Sequence, residues 1–294
     1  MAREARSLVF LGTPTAGATV LSELIRNGFE IAHVVTRADA RRGRGSTTTP
    51  SPVKQVAIDN SIEVSHDMTW LKDNSDRDLL GVVVAYGKII PASVLSHTPM
   101  VNVHFSLLPR WRGAAPVERA ILAGDARTGV CIMNVDETLD TGDVFARREI
   151  DITDAHTTDN LTTDLAQLGA ELLVDTLNEG LRTATTQQGE TTYATKVSAD
   201  ELRLDWSRSS IEVVRQIRAI RSYTMLGSQR LKVIDAEFNQ DTLQLSPGQC
   251  DGFGCVGTRD GAVRLVSVQP EGKAVMEATA WLRGRSGQEN IQFS

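Results

Sequence analysis

Two polar residues interrupt an apolar stretch that reads Val101-Asn102-Val103-His104-Phe105. In a strand, residues two apart project from the same face, so the side chains of Asn102 and His104 would point in one direction. Buried polar groups are costly unless they are hydrogen-bonded or used, and a hydrogen-bonded pair in the core is one explanation. The other is a site in which the carboxamide and the imidazole act on a substrate.

A turn-forming segment, Leu139-Asp140-Thr141-Gly142-Asp143, lies between two stretches that are typical of strands. Taken alone, Asp140 would be explained as a surface aspartate in a turn. If the fold brings it to Asn102 and His104, the three side chains would suit acyl transfer to an amine. The carboxamide would stabilise the oxygen that gains charge, the imidazole would move protons near neutral pH, and the carboxylate would orient the imidazole.

The composition is that of an ordinary globular protein, long enough for two domains. The chain has 294 residues, of which 41% are apolar and 23% charged, and its net charge is −6. No apolar run reaches the roughly 18 to 20 residues that cross a bilayer, and the opening residues lack the apolar core of a signal peptide. Cys131, Cys250 and Cys255 do not have the spacing of a zinc site. We therefore expect a cytoplasmic monomer with no membrane segment, no disulfide framework and no metal.

Strand-like and helix-like segments alternate through the first half of the chain. The β-branched run Gly81–Ala85 is typical of a strand that is covered on both faces. We predict strands over 8–11, 31–36, 62–64, 81–85, 100–106, 129–136 and 144–152, and helices over 20–25, near 52, near 70, near 91, over 114–123 and over 157–181. The pattern indicates an α/β domain with a doubly wound, mostly parallel sheet, whose ligands bind at the carboxyl ends of the strands.

The last third of the chain has a different pattern. A helix over 211–220 is followed by short strands over 230–234, 242–245, 255–258 and 262–268, some of them separated by Asp-Gly pairs, which indicates a small barrel or sandwich. The polar stretch Thr183–Thr192 is the best candidate for a linker. We predict a catalytic domain over 1–182, a linker over 183–203 and a smaller β-rich domain over 204–294.

The motif N-x-H-x-S-L-L-P-x-x-R-G-A-A-P runs from Asn102 to Pro116, and L-D-T-G-D follows from Leu139. Together they closely resemble the formyltransferase family that uses 10-formyltetrahydrofolate. The likeness covers most of the chain; it includes segments 10–14, 50–54, 84–91 and 217–219. It is closest to members that formylate the methionine on initiator methionyl-tRNA for translation initiation. The resemblance implies the formyltransferase fold, followed by an OB-like β-barrel that helps to hold tRNA.

The resemblance also implies the roles of particular residues. Asn102, His104 and Asp140 would be the catalytic residues, and no covalent enzyme intermediate would form. The co-substrate would be 10-formyltetrahydrofolate, bound without a metal. Its pocket would be formed by two segments, which consist of Val84, Ala85 and Tyr86, and of Ser106, Leu107, Leu108 and Pro109.

Arginines cluster in a loop between Thr36 and Lys54 that is rich in Gly, Ser and Thr. Such a cluster can be a solvated loop without a partner. The resemblance implies instead that this loop enters the acceptor-stem end of the tRNA, with Arg44 at the matching position and Arg41 and Arg42 beside it. A second basic stretch nearer the carboxyl end adds further candidate phosphate contacts, namely Arg215, Arg218 and Arg221, together with Lys196.

Two other functions remain open. A formyltransferase that acts on an amino-sugar nucleotide or on glycinamide ribonucleotide would use the same three catalytic residues, although the basic loop and the second domain favour tRNA. A folate- or RNA-binding module without turnover would not require the three residues together.

Overall fold

The computed structural model describes residues 6–41, 48–239, 245–285 and 291–294. Within these residues the chain forms two compact units. The first consists of the described parts of residues 1–116, 127–152 and 159–194, and the second of the described parts of residues 117–126, 153–158 and 195–294.

A mostly parallel sheet lies at the centre of the first unit. The strands of this unit are β1 (Ser7–Gly12), β2 (Ile31–Val35), β3 (Ala40–Arg41), β4 (Thr48–Thr49), β5 (Val64–Ser65), β6 (Leu79–Val84), β7 (Met100–His104), β8 (Arg112–Gly113), β9 (Arg127–Asn134), β10 (Val144–Asp151) and β11 (Tyr193–Ala194). Seven of them form the main sheet in the order β10-β9-β7-β6-β1-β2-β5. The five strands from β7 to β5 are parallel, whereas β9 and β10 add an antiparallel edge.

The order of the strands places a switch point between β1 and β6. The chain continues from β1 to β2 and β5 on one side, and from β6 to β7 on the other. Gly12 and Val84, at the carboxyl ends of β1 and β6, are paired in the sheet. A Cβ atom at Gly12 would lie 2.9 Å from the Val84 carbonyl oxygen, so only glycine allows this approach. Doubly wound sheets bind their ligands in the crevice that forms at such a point.

Helices cover the sheet and complete the second unit. They are α1 (Thr15–Arg26), α2 (Pro52–Asp59), α3 (Thr69–Asp73), α4 (Ala92–Leu95), α5 (Pro116–Ala123), α6 (Thr158–Asn178), α7 (Ser210–Ala219) and α8 (Ala278–Arg283), with a 3₁₀ turn at Asp200–Leu202. Helix α6 buries leucines at helical spacing, including Leu161, Leu165 and Leu173. A Cβ atom at its Gly169 would lie 2.7 Å from Val103 Cγ1, so α6 packs tightly against β7.

The second unit is a nearly closed antiparallel barrel with helices packed against it. Its strands are β12 (Tyr223–Leu226), β13 (Gln229–Asn239), β14 (Gln249–Cys250), β15 (Cys255–Gly257), β16 (Ala262–Pro270), β17 (Met276–Glu277) and β18 (Ile291–Gln292). The order is β12-β13-β16-β15-β14-β18, and β17 pairs with β16. Met225 in β12 exchanges two backbone hydrogen bonds of 3.0 Å with Ser294, just beyond β18, which brings the first and last strands together.

Helix α7 is fixed at its start by local sequence. The Ser209 side chain accepts from the Glu212 backbone N–H, and the Glu212 carboxylate accepts from the Ser209 N–H, which is a capping box. The buried face of the helix, with Val213 and Ile217, contributes to the core of the barrel together with Trp206. The capping box and the apolar spacing explain why this helix could be predicted from the sequence.

The structure confirms the predicted fold class: a mostly parallel α/β sheet and a smaller barrel domain. The strand predicted over 242–245 falls on a segment of which only Leu245 is described. The short strand β12 was not predicted, because only three residues, none of them glycine or proline, separate it from the end of helix α7 at Ala219. Within the described residues, no helix combines the length and the apolar character that a membrane crossing needs.

Candidate active site

Strand β7 carries Asn102 and His104 on one face of the sheet. Asn102 is paired with Val83 of β6 and Met133 of β9, and His104 with Cys131 of β9. His104 is 6% exposed, whereas Asn102 is partly exposed. Among the described residues the Asn102 carboxamide has no hydrogen-bond partner in the protein, so its amide group is free to donate to a ligand.

The loop after β7 folds back and fixes the imidazole. His104 Nε2 lies 3.0 Å from the Trp111 carbonyl oxygen. A carbonyl can only accept, so this contact assigns the proton of the neutral ring to Nε2 and leaves Nδ1 with a free lone pair. The Ser106 hydroxyl donates to the Arg110 carbonyl at 2.7 Å and closes the same loop. His104 therefore has one nitrogen committed to the backbone and one that can take up a proton.

Asp140 reaches this free nitrogen. Its Oδ2 lies 3.7 Å from His104 Nδ1, and its side chain is 12% exposed. The same oxygen accepts a hydrogen bond of 2.7 Å from the Gly113 N–H, which fixes the carboxylate. At 3.7 Å the carboxylate is too far for a hydrogen bond but close enough to stabilise a protonated imidazole.

The turn that carries Asp140 is tightly built. Asp140 has a φ of +53°, a left-handed conformation that aspartate tolerates better than most residues. A Cβ atom at Gly142 would lie 2.1 Å from the Asn134 carbonyl oxygen, so no other residue fits there without movement. The Asn134 N–H donates to the Asp143 carbonyl at 2.9 Å, which closes the turn.

A segment that the sequence suggested to be a linker supports the loop after β7. The Trp111 N–H donates to the Thr192 hydroxyl at 2.9 Å, and the Arg112 N–H donates to the Thr192 carbonyl at 2.9 Å. Trp111 has a φ of +62°, which is costly for a bulky residue and is maintained by these contacts. Strand β11 then pairs with β8 in parallel, with Tyr193 opposite Arg112 and Ala194 opposite Gly113.

The first predicted folate segment lies at the switch point of the sheet. Val84 is buried, Ala85 is exposed with a φ of +46°, and Tyr86 is buried again. Burial raises the pKa of Tyr86, and among the described residues its hydroxyl has no hydrogen-bond partner. The left-handed φ of Ala85 turns the chain directly after Val84, which is paired with Gly12 at the switch point.

The second predicted folate segment is mostly built into the protein. Ser106 is buried and bonded within its loop, and Leu108 packs in a small cluster with Cys131 and Val144. Pro109 is also buried, and its carbonyl accepts from the Thr192 N–H at 3.3 Å. Leu107 is the partly exposed member of the segment. Of the four predicted folate residues in this segment, Leu107 is therefore the one whose side chain is partly accessible to a ligand.

The predicted tRNA contacts divide into three groups. Arg42 and Arg44 lie outside the described residues, and so does the side chain of Arg41. Lys196 and Arg221 are exposed, as a phosphate contact requires. Their charges are available to a polyanion.

The remaining two arginines are engaged within the second unit. The Arg218 side chain is 11% exposed, donates to the Thr153 carbonyl at 3.1 Å and lies 3.4 Å from Asp154. The Arg215 guanidinium lies against the backbone of Gly124, where a Cβ atom would clash with it. Arg218 in particular is held by protein groups.

Other charged groups have structural roles. The Arg119 guanidinium hydrogen-bonds to Glu201 and lowers the pKa of that carboxyl to about 2, with help from the Ser198 N–H. Burial raises the pKa of the Cys250 thiol to about 12.

In the described part of the chain, no group of three or more His, Cys, Asp or Glu side chains could hold a metal ion.

Sequence reasoning did not identify Gln187, Thr192 or Arg112 as parts of this site. Gln187 donates to the Asp140 and Gly142 carbonyls, and Arg112 donates to Gln187. Arg112 could have been noticed because it belongs to the R-G pair of the long motif. Gln187 and Thr192 lie in a polar stretch whose composition gives no signal of such contacts.

The chain is similar to known proteins over nearly its full length. The formyl transferase family matches residues 5–177, and the formyl transferase C-terminal domain family matches residues 196–286. The methionyl-tRNA formyltransferase of Corynebacterium aurimucosum is 41% identical over 315 aligned positions, which cover 96% of this chain and 95% of that protein.

Solved structures share the fold at low sequence identity. The sugar 3N-formyl transferase WlaRD, crystallised in the presence of dTDP and 5-N-formyl-THF, has a TM-score of 0.70 at 16% identity over 92% of this chain and all of that one. HypX from Aquifex aeolicus, in complex with tetrahydrofolic acid, has a TM-score of 0.68 at 17% identity and covers 97% of this chain and 48% of that one. Since two formyl transferase family models match most of the chain and a methionyl-tRNA formyltransferase is 41% identical over nearly its full length, the chain belongs to the methionyl-tRNA formyltransferase family.

Proposed function

We propose that this enzyme transfers the formyl group of 10-formyltetrahydrofolate to the α-amino group of the methionine on initiator tRNA, and that Asn102, His104 and Asp140 carry the chemistry. The observation that supports this most directly is the 3.7 Å approach of Asp140 to the free nitrogen of His104, beside an Asn102 carboxamide that has no partner among the described residues. Formylation of methionyl-tRNA by relatives that match nearly the whole chain agrees with it.

The three side chains would divide the work of acyl transfer. The folate supplies the formyl carbon, which the methionine amine attacks. The Asn102 amide donates to the formyl oxygen as it gains negative charge. His104 Nδ1 accepts the proton that the amine loses, and Asp140 stabilises the imidazolium that results. The proton then passes to the folate nitrogen that leaves, so the enzyme ends the cycle unchanged and forms no covalent bond.

The crevice at the carboxyl ends of β1 and β6 suits the folate. The sharp turn at Ala85 exposes backbone N–H and carbonyl groups, which can hydrogen-bond to a pterin ring. The Tyr86 side chain packs among apolar core residues such as Val35 and Leu71, so this segment offers the folate its backbone rather than the Tyr86 hydroxyl. Leu107 provides an apolar contact at the other wall.

The tRNA would be held by basic side chains that are free to bind phosphate. Lys196 and Arg221 are our first candidates in the second unit, because both are exposed. Arg41, Arg42 and Arg44 remain candidates for the acceptor end. Since aminoacylated tRNA is used for translation in the cytoplasm, we propose that the reaction takes place there.

A parallel assay of acceptors tests the proposal. The protein is incubated with 10-formyltetrahydrofolate and, in separate reactions, methionyl-initiator tRNA, methionyl-elongator tRNA, glycinamide ribonucleotide and an amino-sugar nucleotide. We expect rapid formylation of the initiator tRNA alone. Formylation of a small amine only would overturn the choice of acceptor, and binding of folate without any turnover would support the binding-module alternative.

A further inference from the structure

The polar segment Thr185–Ala194 is a fixed part of the first unit. At its start, Thr185 and Val144 exchange two backbone hydrogen bonds of 2.9 Å. At its end, β11 pairs in parallel with β8. Between these two anchors the segment crosses the loop after β7 and the turn that carries Asp140. We call it the strap.

Gln187 lies in the middle of the strap and uses all of its hydrogen-bonding capacity. Its Nε2 donates to the Asp140 carbonyl at 2.9 Å and to the Gly142 carbonyl at 2.8 Å. Its Oε1 accepts from Arg112 Nε at 3.0 Å and from Arg112 Nη2 at 2.7 Å. If the amide were flipped, its NH2 group would face the Arg112 guanidinium and its oxygen would face the two carbonyl oxygens. The hydrogen-bond partners therefore determine the orientation of the Gln187 amide.

The hydrogen bonds of Gln187 connect the two loops that meet at the proposed catalytic centre. On one side, the Gly113 N–H holds the Asp140 carboxylate directly. On the other, Gln187 connects the neighbouring Arg112 side chain to the Asp140 backbone. Asp140 is thus held at two points, its backbone carbonyl by Gln187 and its carboxylate by Gly113. Together these two contacts set the direction of the carboxylate.

We propose that Gln187 is a positioning residue that sets the Asp140 carboxylate against His104. This inference rests on the proposed function, because it gives Gln187 a role only through the catalytic Asp140. Glutamine suits the position better than glutamate. A glutamate would still accept from Arg112 but would turn a carboxylate oxygen towards two carbonyl oxygens and add a negative charge beside Asp140.

The test is a double-mutant cycle of Gln187→Glu and Asp140→Asn in the full-length enzyme. Displacement of a catalytic group by about 1 Å can cost up to about 100-fold, so we expect Gln187→Glu to lower kcat by about 10- to 100-fold. The KM values for the tRNA and the folate should change by less than about threefold. In the Asp140→Asn background, Gln187→Glu should cost less than about threefold, because the group that it positions has lost its charge.

Gln188→Glu is the matched control, since Gln188 is the exposed neighbour of Gln187. We expect it to have wild-type kcat. Melting temperatures are measured for every variant. If Gln187→Glu does not fold, Gln187→Met, which removes the hydrogen bonds without adding charge, replaces it in the same cycle.

Each result has one meaning. An unchanged kcat for the folded Gln187 variant overturns the positioning role. An equal loss of kcat with and without the Asp140 charge also overturns it, because the effect would then be independent of Asp140. If the wild-type enzyme itself fails to formylate methionyl-tRNA, the proposed function fails, which is distinguishable from either outcome.

Discussion

The substitution Asp140→Asn removes the charge of the proposed stabilising carboxylate while it keeps the shape of the side chain. The asparagine oxygen can still accept the hydrogen bond from the Gly113 N–H, which is 2.7 Å long in the structure. The turn should therefore keep its conformation. What the variant loses is the interaction between a carboxylate and the protonated His104.

The size of the effect follows from the distance. Two unit charges 3.7 Å apart interact by about 4 kcal/mol at an effective dielectric constant of about 20, and by about 1 kcal/mol in water. The side chains are 6% and 12% exposed, so the site lies between these limits and closer to the first. With about 1.4 kcal/mol for each factor of ten, we expect kcat to fall by about 100- to 1,000-fold.

The assay measures the transfer of radiolabelled formyl groups to methionyl-tRNA, with kcat and KM determined separately. We expect KM to stay within about threefold, since Asp140 is assigned to proton transfer rather than binding. Asp136→Asn is the matched control, because it removes the same charge from an exposed position nearby. A folded Asp140→Asn enzyme with a kcat within about threefold of wild type would contradict the role proposed for the Asp140 charge.

Three further predictions concern one glycine of the candidate site and two groups of the second unit. Gly113→Ala should lower kcat by at least about tenfold, since Gly113 has a φ of +121° and its Cβ would lie 2.8 Å from the Ala194 carbonyl oxygen. Gly180→Ala, at a φ of +73° with nothing within 4 Å of the added Cβ, should leave kcat unchanged in the same assay. Glu201 has a folded pKa of about 2 against an ordinary 4.5, so its ion pair stabilises the protein above pH 4.5 and less as the pH falls towards 2. Because its side chain is 37% exposed, Glu201→Gln should cost about 1 kcal/mol in urea unfolding at pH 7 and less at lower pH; an equal cost at pH 3 would contradict this. Burial raises the pKa of Cys250 to about 12, so this thiol should react with a disulfide reagent at pH 8 only on unfolding, and rapid native labelling would contradict its burial.

The sequence was most informative where the structure depends on local patterns. The β-branched run of β6 and the alternation in β7 predicted buried strands, because side chains on a strand alternate between faces. The same alternation placed Asn102 and His104 on one face. The meeting of Asp140 with His104 was expected from the resemblance to a family, since spacing along the chain alone cannot bring distant turns together.

The strap could not be predicted from composition. Gln187 and Arg112 are 75 positions apart in the chain, and Thr192 and Trp111 are 81 positions apart. The composition of a short polar segment does not distinguish a free linker from a segment that makes hydrogen bonds to residues distant in the chain. The left-handed φ of Trp111 could not be predicted either, because tertiary contacts rather than local preference maintain it.

The position of the bound formyl group is the most direct test of the roles proposed for Asn102 and His104. A crystal structure of the enzyme with a 10-formyl folate analogue that cannot transfer its formyl group would locate the reacting carbon. We predict that the formyl oxygen lies about 3 Å from the Asn102 amide nitrogen and that the formyl carbon lies on the side of His104 Nδ1. A folate bound elsewhere, or a formyl carbon beyond the reach of both side chains, would contradict it.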